Sequence, residues 1–312
     1  MKRRVFQTDA AVPLEVAVAR GLACPLDAAR ALVVRGAVYV RGRRQREATL
    51  AVAAGSPVLV VLEEGGRSST APEAPAMPLR VLYEDREVLV VDKPPGLPAQ
   101  PTPGGERSLL LLASEHLGGE AGLVHRLDRE TSGVTVFGKS GRATSALAAS
   151  FRSGEAHKQY LAVTAPGLAE VGTCTLQLAR DPSRPGRWLA RPRDGLGAET
   201  RFRRLGANAA FALAALWPRT GRTHQLRAHL AALGAPIAGD RLYGGPAELG
   251  GVPVGRSLLH AHVLVLPHPR SGAPLRLVAP IPDDVGRYLD DLEVVPPEDA
   301  PELLTAPPPG PR

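Results

Sequence analysis

The sequence predicts an α+β fold built on a mainly antiparallel sheet. Short β-rich runs recur between polar turns and Gly or Pro breaks, a few well-bounded helices lie among them, and strand and helix do not alternate regularly. A Pro/Ser/Ala-rich stretch then separates a small leading unit from a larger body. The predicted organisation is a small module over 1–66, a linker over 67–78, a main domain over 79–294 and a Pro-rich disordered tail over 295–312.

In the small unit, Leu26–Arg35 reads as a helix stopped by Gly36, and a helix pair followed by a short curled sheet is expected. Residues 37–44 form a strand running into a Gly turn, and 54–64 a turn and a second strand. Arg35, Arg41, Arg43, Arg44 and Arg46 cluster around that hairpin. Such a cluster can track a phosphate backbone, or it can guard an edge strand against aggregation.

The body opens with a hairpin over Arg80–Lys93, turned at residues 84–87 and ended by Pro94-Pro95-Gly96. Val134–Lys139 is a strand. Ser140 caps a helix that runs to Phe151, with Gly154 beyond its end. Tyr160–Thr164 and Ala209–Trp217 are strands, the latter apolar and buried. Thr223–Leu233 is helical, with Leu226, Leu230 and Leu233 on one face. Leu258–Leu266 and Leu275–Val278 close the body as strands.

Composition narrows the function classes. The 312 residues are 44% hydrophobic but only 4% aromatic, so the core must rest on Leu, Val and Ala. Lys and Arg number 38 against 31 Asp and Glu, a net charge of +7 that favours an anionic partner. The two cysteines, Cys24 and Cys174, have no paired spacing, which argues against a disulfide framework or a Cys-rich metal site. No apolar run is long enough to span a membrane, and MKRRVFQTDA lacks the apolar stretch of a signal peptide. A cytoplasmic monomer is the default expectation.

Chemistry concentrates in three places. The first is His125-Arg126-Leu127-Asp128-Arg129-Glu130-Thr131-Ser132-Gly133. Flanking arginines favour an ionised carboxylate that can act as nucleophile or base, and a loop feeding a strand holds its side chains rigidly. A surface salt-bridge cluster is the commoner origin of such a pattern. The second is Thr220–Leu230, where Arg222 stands at a helix start against the helix dipole and Arg227 lies within the helix, which points to a carboxylate or phosphate partner. The third is Lys158-Gln159-Tyr160, whose tyrosine can stack on a base or simply pack in a core. His224 and His229 lack metalloprotease spacing, His260 and His262 read as packing residues, and there is no GxGxxG, P-loop or GxSxG motif. The glycines at 239, 244, 245, 250 and 251 are too scattered for a phosphate cradle. No metal or cofactor is expected.

These pieces together resemble one family. HRLDRETSG (125–133) is similar to the signature of the large-ribosomal-type (RluA) pseudouridine synthases. VLYEDREVLVVDKPPGLP, KQYLAV, TGRTHQLRAHLAALGAPIAGDRLYGG and LLHAHVLVLPHP follow in the family's order over 79–283. Gln100 stands where relatives commonly have His, and residues 169–197 match little and read as a variable loop. The small unit resembles an alpha-L RNA-binding module more weakly, with Pro25-Leu26 replacing the usual Ser-Arg entry to the second helix.

The resemblance implies a catalytic domain of pseudouridine synthase type. It makes Asp128 the essential carboxylate, attacking the sugar or removing a sugar proton. It has Arg222 pair with Asp128, Tyr160 stack on the target base, and Arg126 fill the gap left by a flipped uridine. His125, Arg126, Arg227, Arg35, Arg41, Arg43 and Arg44 form the expected RNA-contacting set. The implied partner is RNA, ribosomal sooner than transfer. The alternatives are a non-catalytic RNA-binding or ribosome-assembly protein on the same fold and, disfavoured by the lack of clustered carboxylates, a metal-dependent nuclease.

Overall fold

The computed structural model describes residues 2–34, 36–62, 78–102, 106–191 and 193–294. They group into two units, one formed by the described residues up to 62 and one by those from 78 onward. The tail 295–312 and the linker, apart from Pro78, lie outside the described residues.

In the first unit, β1 (Lys2–Gln7) precedes α1 (Leu14–Leu22) and α2 (Leu26–Val34). Then come β2 (Val38–Val40), β3 (Arg43–Gln45) and β4 (Pro57–Leu62), in the antiparallel order β1-β4-β2-β3. The expected stop of α2 is visible at Gly36 (φ +76°), whose N–H donates to Val33 O, while Ala37 N–H reaches Leu32 O. The two helices are tied by Arg30, whose guanidinium grips Glu15 through Nε (2.6 Å) and Nη2 (3.2 Å). Leu14, Val18, Ala29 and Val33 pack on Val38, Val58 and Val60 to give this unit its own small core. The leading strand β1 was not expected from sequence.

The second unit is ordered as a long sheet with helices on both faces. Its elements are β5 (Val81–Glu84), β6 (Val88–Lys93), α3 (Leu109–Leu117), β7 (Ser132–Gly138), α4 (Gly141–Ser153) and β8 (His157–Thr164). They continue as β9 (Val171–Cys174), β10 (Gln177–Arg180), β11 (Trp188–Arg191), β12 (Thr200–Ala207), β13 (Ala212–Pro218) and α5 (Gln225–Ala232). The last are β14 (Leu259–Pro267), β15 (Pro274–Val278) and α6 (Asp283–Asp290). The main path runs β9-β12-β13-β8-β14-β7-β6-β5, with β15 beside β14. Residues 169–197, expected as a variable loop, instead supply β9 and the separate hairpin β10–β11.

Strand period explains the layers, because successive side chains face opposite ways. Leu89 and Val91 of β6 pack under α3, whereas Val88 and Val90 pack under α4. Likewise Ala212, Ala214 and Leu216 of β13 meet Leu226 and Leu230 of α5, while Leu213 meets Val285 and Tyr288 of α6. Helix α4 is capped as its sequence predicts, with Ser140 Oγ accepting from Ala143 N–H and Gly154 at φ +84° beyond its end. Sequence reasoning missed α3 and α6. The four leucines opening α3 resemble a buried strand, and it is the Ser108 cap and Gly118 stop that settle the helix.

The sheet is antiparallel except at its centre. There β7 and β14 run parallel and pair only at Ser132 with His260 and Gly133 with Ala261, after which they part. Beyond it the segment Gly122–Leu123 pairs with Phe137 and Gly138 of β7, and His125 next to it accepts at Nε2 from Val136 N–H (3.1 Å) and stacks its ring on Phe151 of α4 at 4.6 Å. At the pairing point Gly133 has φ +112°, and a Cβ there would stand 2.1 Å from Ala261 O. Gly133→Ala is therefore expected to cost about 2–3 kcal/mol. Gly96→Ala, at φ +83° with nothing within 4 Å, should cost about 1 kcal/mol. Urea denaturation of the two variants checks this; equal losses would contradict the close approach at Gly133.

Candidate active site

The loop before β7 carries Asp128, and three links fix its backbone. Thr131 N–H donates to Asp128 O (3.1 Å), closing a tight turn. Gly96 N–H donates to Arg129 O (2.9 Å), and Arg129 Nε returns a bond to Gly96 O (2.9 Å). Buried cations then hold the carbonyls just downstream. Lys93, with no exposed surface, donates Nζ to Arg129 O (2.9 Å), Pro94 O (2.8 Å) and Leu97 O (2.7 Å). Arg256 donates Nη1 to Glu130 O (3.1 Å) while its Nε and Nη2 clasp Asp284 of α6. Burial lowers the Lys93 pKa to about 7, against the opposing charge of Glu130.

The carboxylate itself meets a partner from far along the chain. Arg227 Nη1 stands 3.2 Å from Asp128 Oδ2. The other side of the same guanidinium is bound by Asp240, through Nε at 2.6 Å and Nη2 at 2.9 Å. The Tyr243 ring lies 5.0 Å from the guanidinium carbon. Tyr243 Oη accepts from Trp188 N–H (2.9 Å) and is hydrogen-bonded to His224 Nδ1 (3.1 Å), and His224 Nε2 lies 3.8 Å from Asp128 Oδ2. Burial lowers the His224 pKa, with Asp128 acting in the opposite sense. Half-buried Tyr160 of β8 packs against the apolar cluster that holds Leu226 and Leu230 of α5. Burial first, and then the charge of Asp128, push its hydroxyl pKa up, which keeps the phenol neutral.

Two expected arrangements are corrected. Arg222 does not pair with Asp128. It lies exposed ahead of α5, and its Nε donates to Gly197 O (3.1 Å). The cause is Gln225, whose Oε1 accepts from Thr220 Oγ1 (2.6 Å) and Arg222 N–H (3.1 Å) while its Nε2 donates to Glu199 O (2.9 Å). This pins residues 220–222 against the start of β12 and turns Arg222 outward, leaving Arg227, one helical turn later, to face the carboxylate. Nor do the flanking arginines serve Asp128. Arg129 is spent on Gly96 and Glu106, and Arg126 is exposed with no hydrogen bond or ion pair among the described residues.

The expected RNA-contacting set divides in a similar way. His125 is an internal prop, as its bond to Val136 and its stacking show, and burial lowers its pKa to about 3. Arg227 is a carboxylate partner inside the site, 12% exposed. Arg44 donates Nε to Gly36 O, and Arg41 donates to Ser56 Oγ (3.4 Å), so both take part in holding the hairpin. Arg35 and the Arg43 side chain lie outside the described residues. His229 is buried, bonded to Thr200 Oγ1 and Leu176 O. Among the described residues no group of three His, Cys, Asp or Glu could hold a metal ion, and no helix is long and apolar enough to cross a membrane.

Sequence reasoning missed Asp240, Lys93 and Arg256. The signal for Asp240 was its bracketing by Gly239 and Gly245. A Cβ at Gly239 would lie 1.9 Å from Arg256 O, and one at Gly245 1.8 Å from Ile237 O. Such glycines mark a backbone folded tightly upon itself to place one side chain. The buried pair gives a stability test. Arg227→Ala leaves Asp240, 1% exposed, without its cation and should destabilise the protein by about 3–5 kcal/mol. Arg222→Ala should change stability by no more than about 0.5 kcal/mol. Thermal unfolding of both variants decides between the two arginines.

Comparison with known proteins gives the family. Residues 87–232 match the RNA pseudouridylate synthase family. The chain is 40% identical over 253 residues to the ribosomal large subunit pseudouridine synthase D of Xanthomonas campestris, covering 75% of this chain and 74% of that protein. Its namesake in Salmonella typhimurium is 33% identical over 70% of this chain and 72% of that one. Among solved structures, human RNA pseudouridylate synthase domain containing 4 superposes with a TM-score of 0.58 at 28% identity, covering 70% of this chain and 95% of that one. The chain thus belongs to the RluA-type RNA pseudouridine synthases, isomerases that convert uridine in RNA to pseudouridine.

Proposed function

We propose that this enzyme modifies uridine in the RNA of the large ribosomal subunit, in the cytoplasm, with Asp128 as its catalytic carboxylate. The RNA target is supported by relatives named for large-subunit RNA at up to 40% identity. The observation that carries the assignment of Asp128 is its carboxylate, 23% exposed, with Oδ2 held by Arg227. Oδ1 accepts no hydrogen bond among the described residues, so one oxygen is left for substrate.

The reaction breaks the N1–C1′ bond of uridine, turns the base, and joins C5 to C1′, with the C5 proton replaced by one on N1. No atom is gained or lost. Asp128 acts on the sugar, as a nucleophile at C1′ or as the base for a sugar proton. Either role needs a fixed carboxylate, which the bonded loop supplies. Tyr160 offers an aromatic face for the target base. Arg126, exposed and without an ion-pair partner among the described residues, is placed to enter the stack vacated by the flipped nucleotide. Flipping costs a few kcal/mol, offset by stacking and phosphate contacts.

Asp128→Asn keeps the shape of the carboxylate and removes its charge. The variant should bind RNA as the wild type does and lose isomerisation by at least about 10³-fold. Tritium release from C5-labelled uridine in RNA measures the rate, and filter binding the affinity. Turnover near the wild-type rate would refute the role of Asp128. Mapping pseudouridines in total RNA with and without the gene tests the target; losses confined to transfer RNA would overturn the ribosomal assignment.

A further inference from the structure

Arg227 can present its guanidinium to a carboxylate in more than one way. With five N–H donors and a planar fork, its lowest-energy contact with a single carboxylate is bidentate, covering both oxygens. If Arg227 met Asp128 in that way, neither oxygen of Asp128 would be free for substrate. In the structure it does not. Asp240 occupies the Nε and Nη2 edge, at 2.6 and 2.9 Å, and only Nη1 is left to reach Asp128 Oδ2 at 3.2 Å.

Asp240 is itself rigid. Its side chain is 1% exposed, and its Oδ1 also accepts from Tyr243 N–H (3.3 Å). Its backbone is fixed at both ends: Asp240 N–H donates to Ile237 O (3.1 Å), and Tyr243 and Gly245 N–H donate to Asp240 O (3.1 and 2.9 Å). Its neighbours Gly239 and Gly245 lie too close to Arg256 O and Ile237 O to admit a side chain. Arg227 is also held in the third dimension by the Tyr243 ring. Burial alone would lower the Arg227 pKa, but the hydrogen bonds and charge of Asp240, reinforced by Asp128, raise it above its ordinary value.

We propose that Asp240 is a positioning residue: it claims one edge of Arg227, so that Arg227 touches Asp128 through a single nitrogen and leaves Asp128 Oδ1 open to the sugar. Asp240 touches no substrate and acts only through Arg227. The inference rests on the reading of Asp128 as the catalytic carboxylate.

The test compares wild type with Asp240→Asn, Asp240→Glu and Asp128→Asn, using full-length protein and an RNA substrate. Asp240→Asn removes the second claim on the guanidinium and frees it to cover Asp128. Asp240→Glu keeps the charge but shifts the carboxylate by one methylene, which keeps the proposal falsifiable where the asparagine variant does not fold. In each, kcat should fall by about 10–100-fold, with KM and RNA affinity unchanged and the circular-dichroism spectrum of the wild type. Wild-type kcat in a folded Asp240 variant overturns the inference. So does a loss of RNA affinity equal to the loss of kcat, because a damaged fold lowers both. Turnover by Asp128→Asn would instead refute the reading beneath it, so the two failures are distinguishable.

Discussion

A guanidinium buried between two carboxylates organises this enzyme. Arg227 meets Asp240 13 residues ahead of it in sequence and Asp128 99 residues behind it. Removing a charge from water is expensive, and only well-formed opposite partners compensate. Among the described residues Arg227 is the cation that both carboxylates share, with His224 Nε2 farther from Asp128 at 3.8 Å. The loop before β7, helix α5 and the Gly-bracketed turn after it are thus bound to one another by the same side chain. The site is the place where those three segments converge, so its geometry follows from that one contact.

The carboxylate end of this contact sits on a loop, and loops are ordinarily mobile. Here the carbonyls that follow Asp128 are bound by ammonium and guanidinium groups from β6 and from the segment before β14. Arg256 also grips Asp284, so helix α6 is tied to the loop that carries Asp128. These groups lie in the interior, and backbone oxygens accept their hydrogen bonds. The resulting rigidity serves chemistry in which a displacement of about 1 Å costs a large factor in rate.

The sheet prepares the same ground. Its two halves touch through only two residues each of β7 and β14, because Gly133 lets the backbones approach and nothing larger would fit. Beyond that point the strands part, and residues 122–125 take over along β7, with His125 accepting from Val136 N–H. The signature segment 125–133 thus contributes three different services within nine residues: a prop at His125, a carboxylate at Asp128 and a crossing point at Gly133. Its charged appearance in the sequence conceals this division, since Arg129 faces Gly96 and Glu106 and Arg126 faces outward.

Sequence alone determined what is local. The α+β class, the hairpin of β5 and β6, the Ser140 cap of α4 and the Gly36 stop of α2 follow from periodicity, caps and turn residues, which act over a few positions. The family order of motifs likewise marked Asp128 and Tyr160. Tertiary structure decided which groups meet. Arg222 and Arg227 are five residues apart and alike in chemistry, and nothing local says which one faces Asp128; the anchoring of Gln225 on β12 does. Asp240, Lys93 and Arg256 were missed for the same reason: the glycines around Asp240 mark a tightly folded backbone, but the partners of all three lie in distant segments. Burial of a charge is a property of the assembled fold, and a one-dimensional pattern carries no record of it.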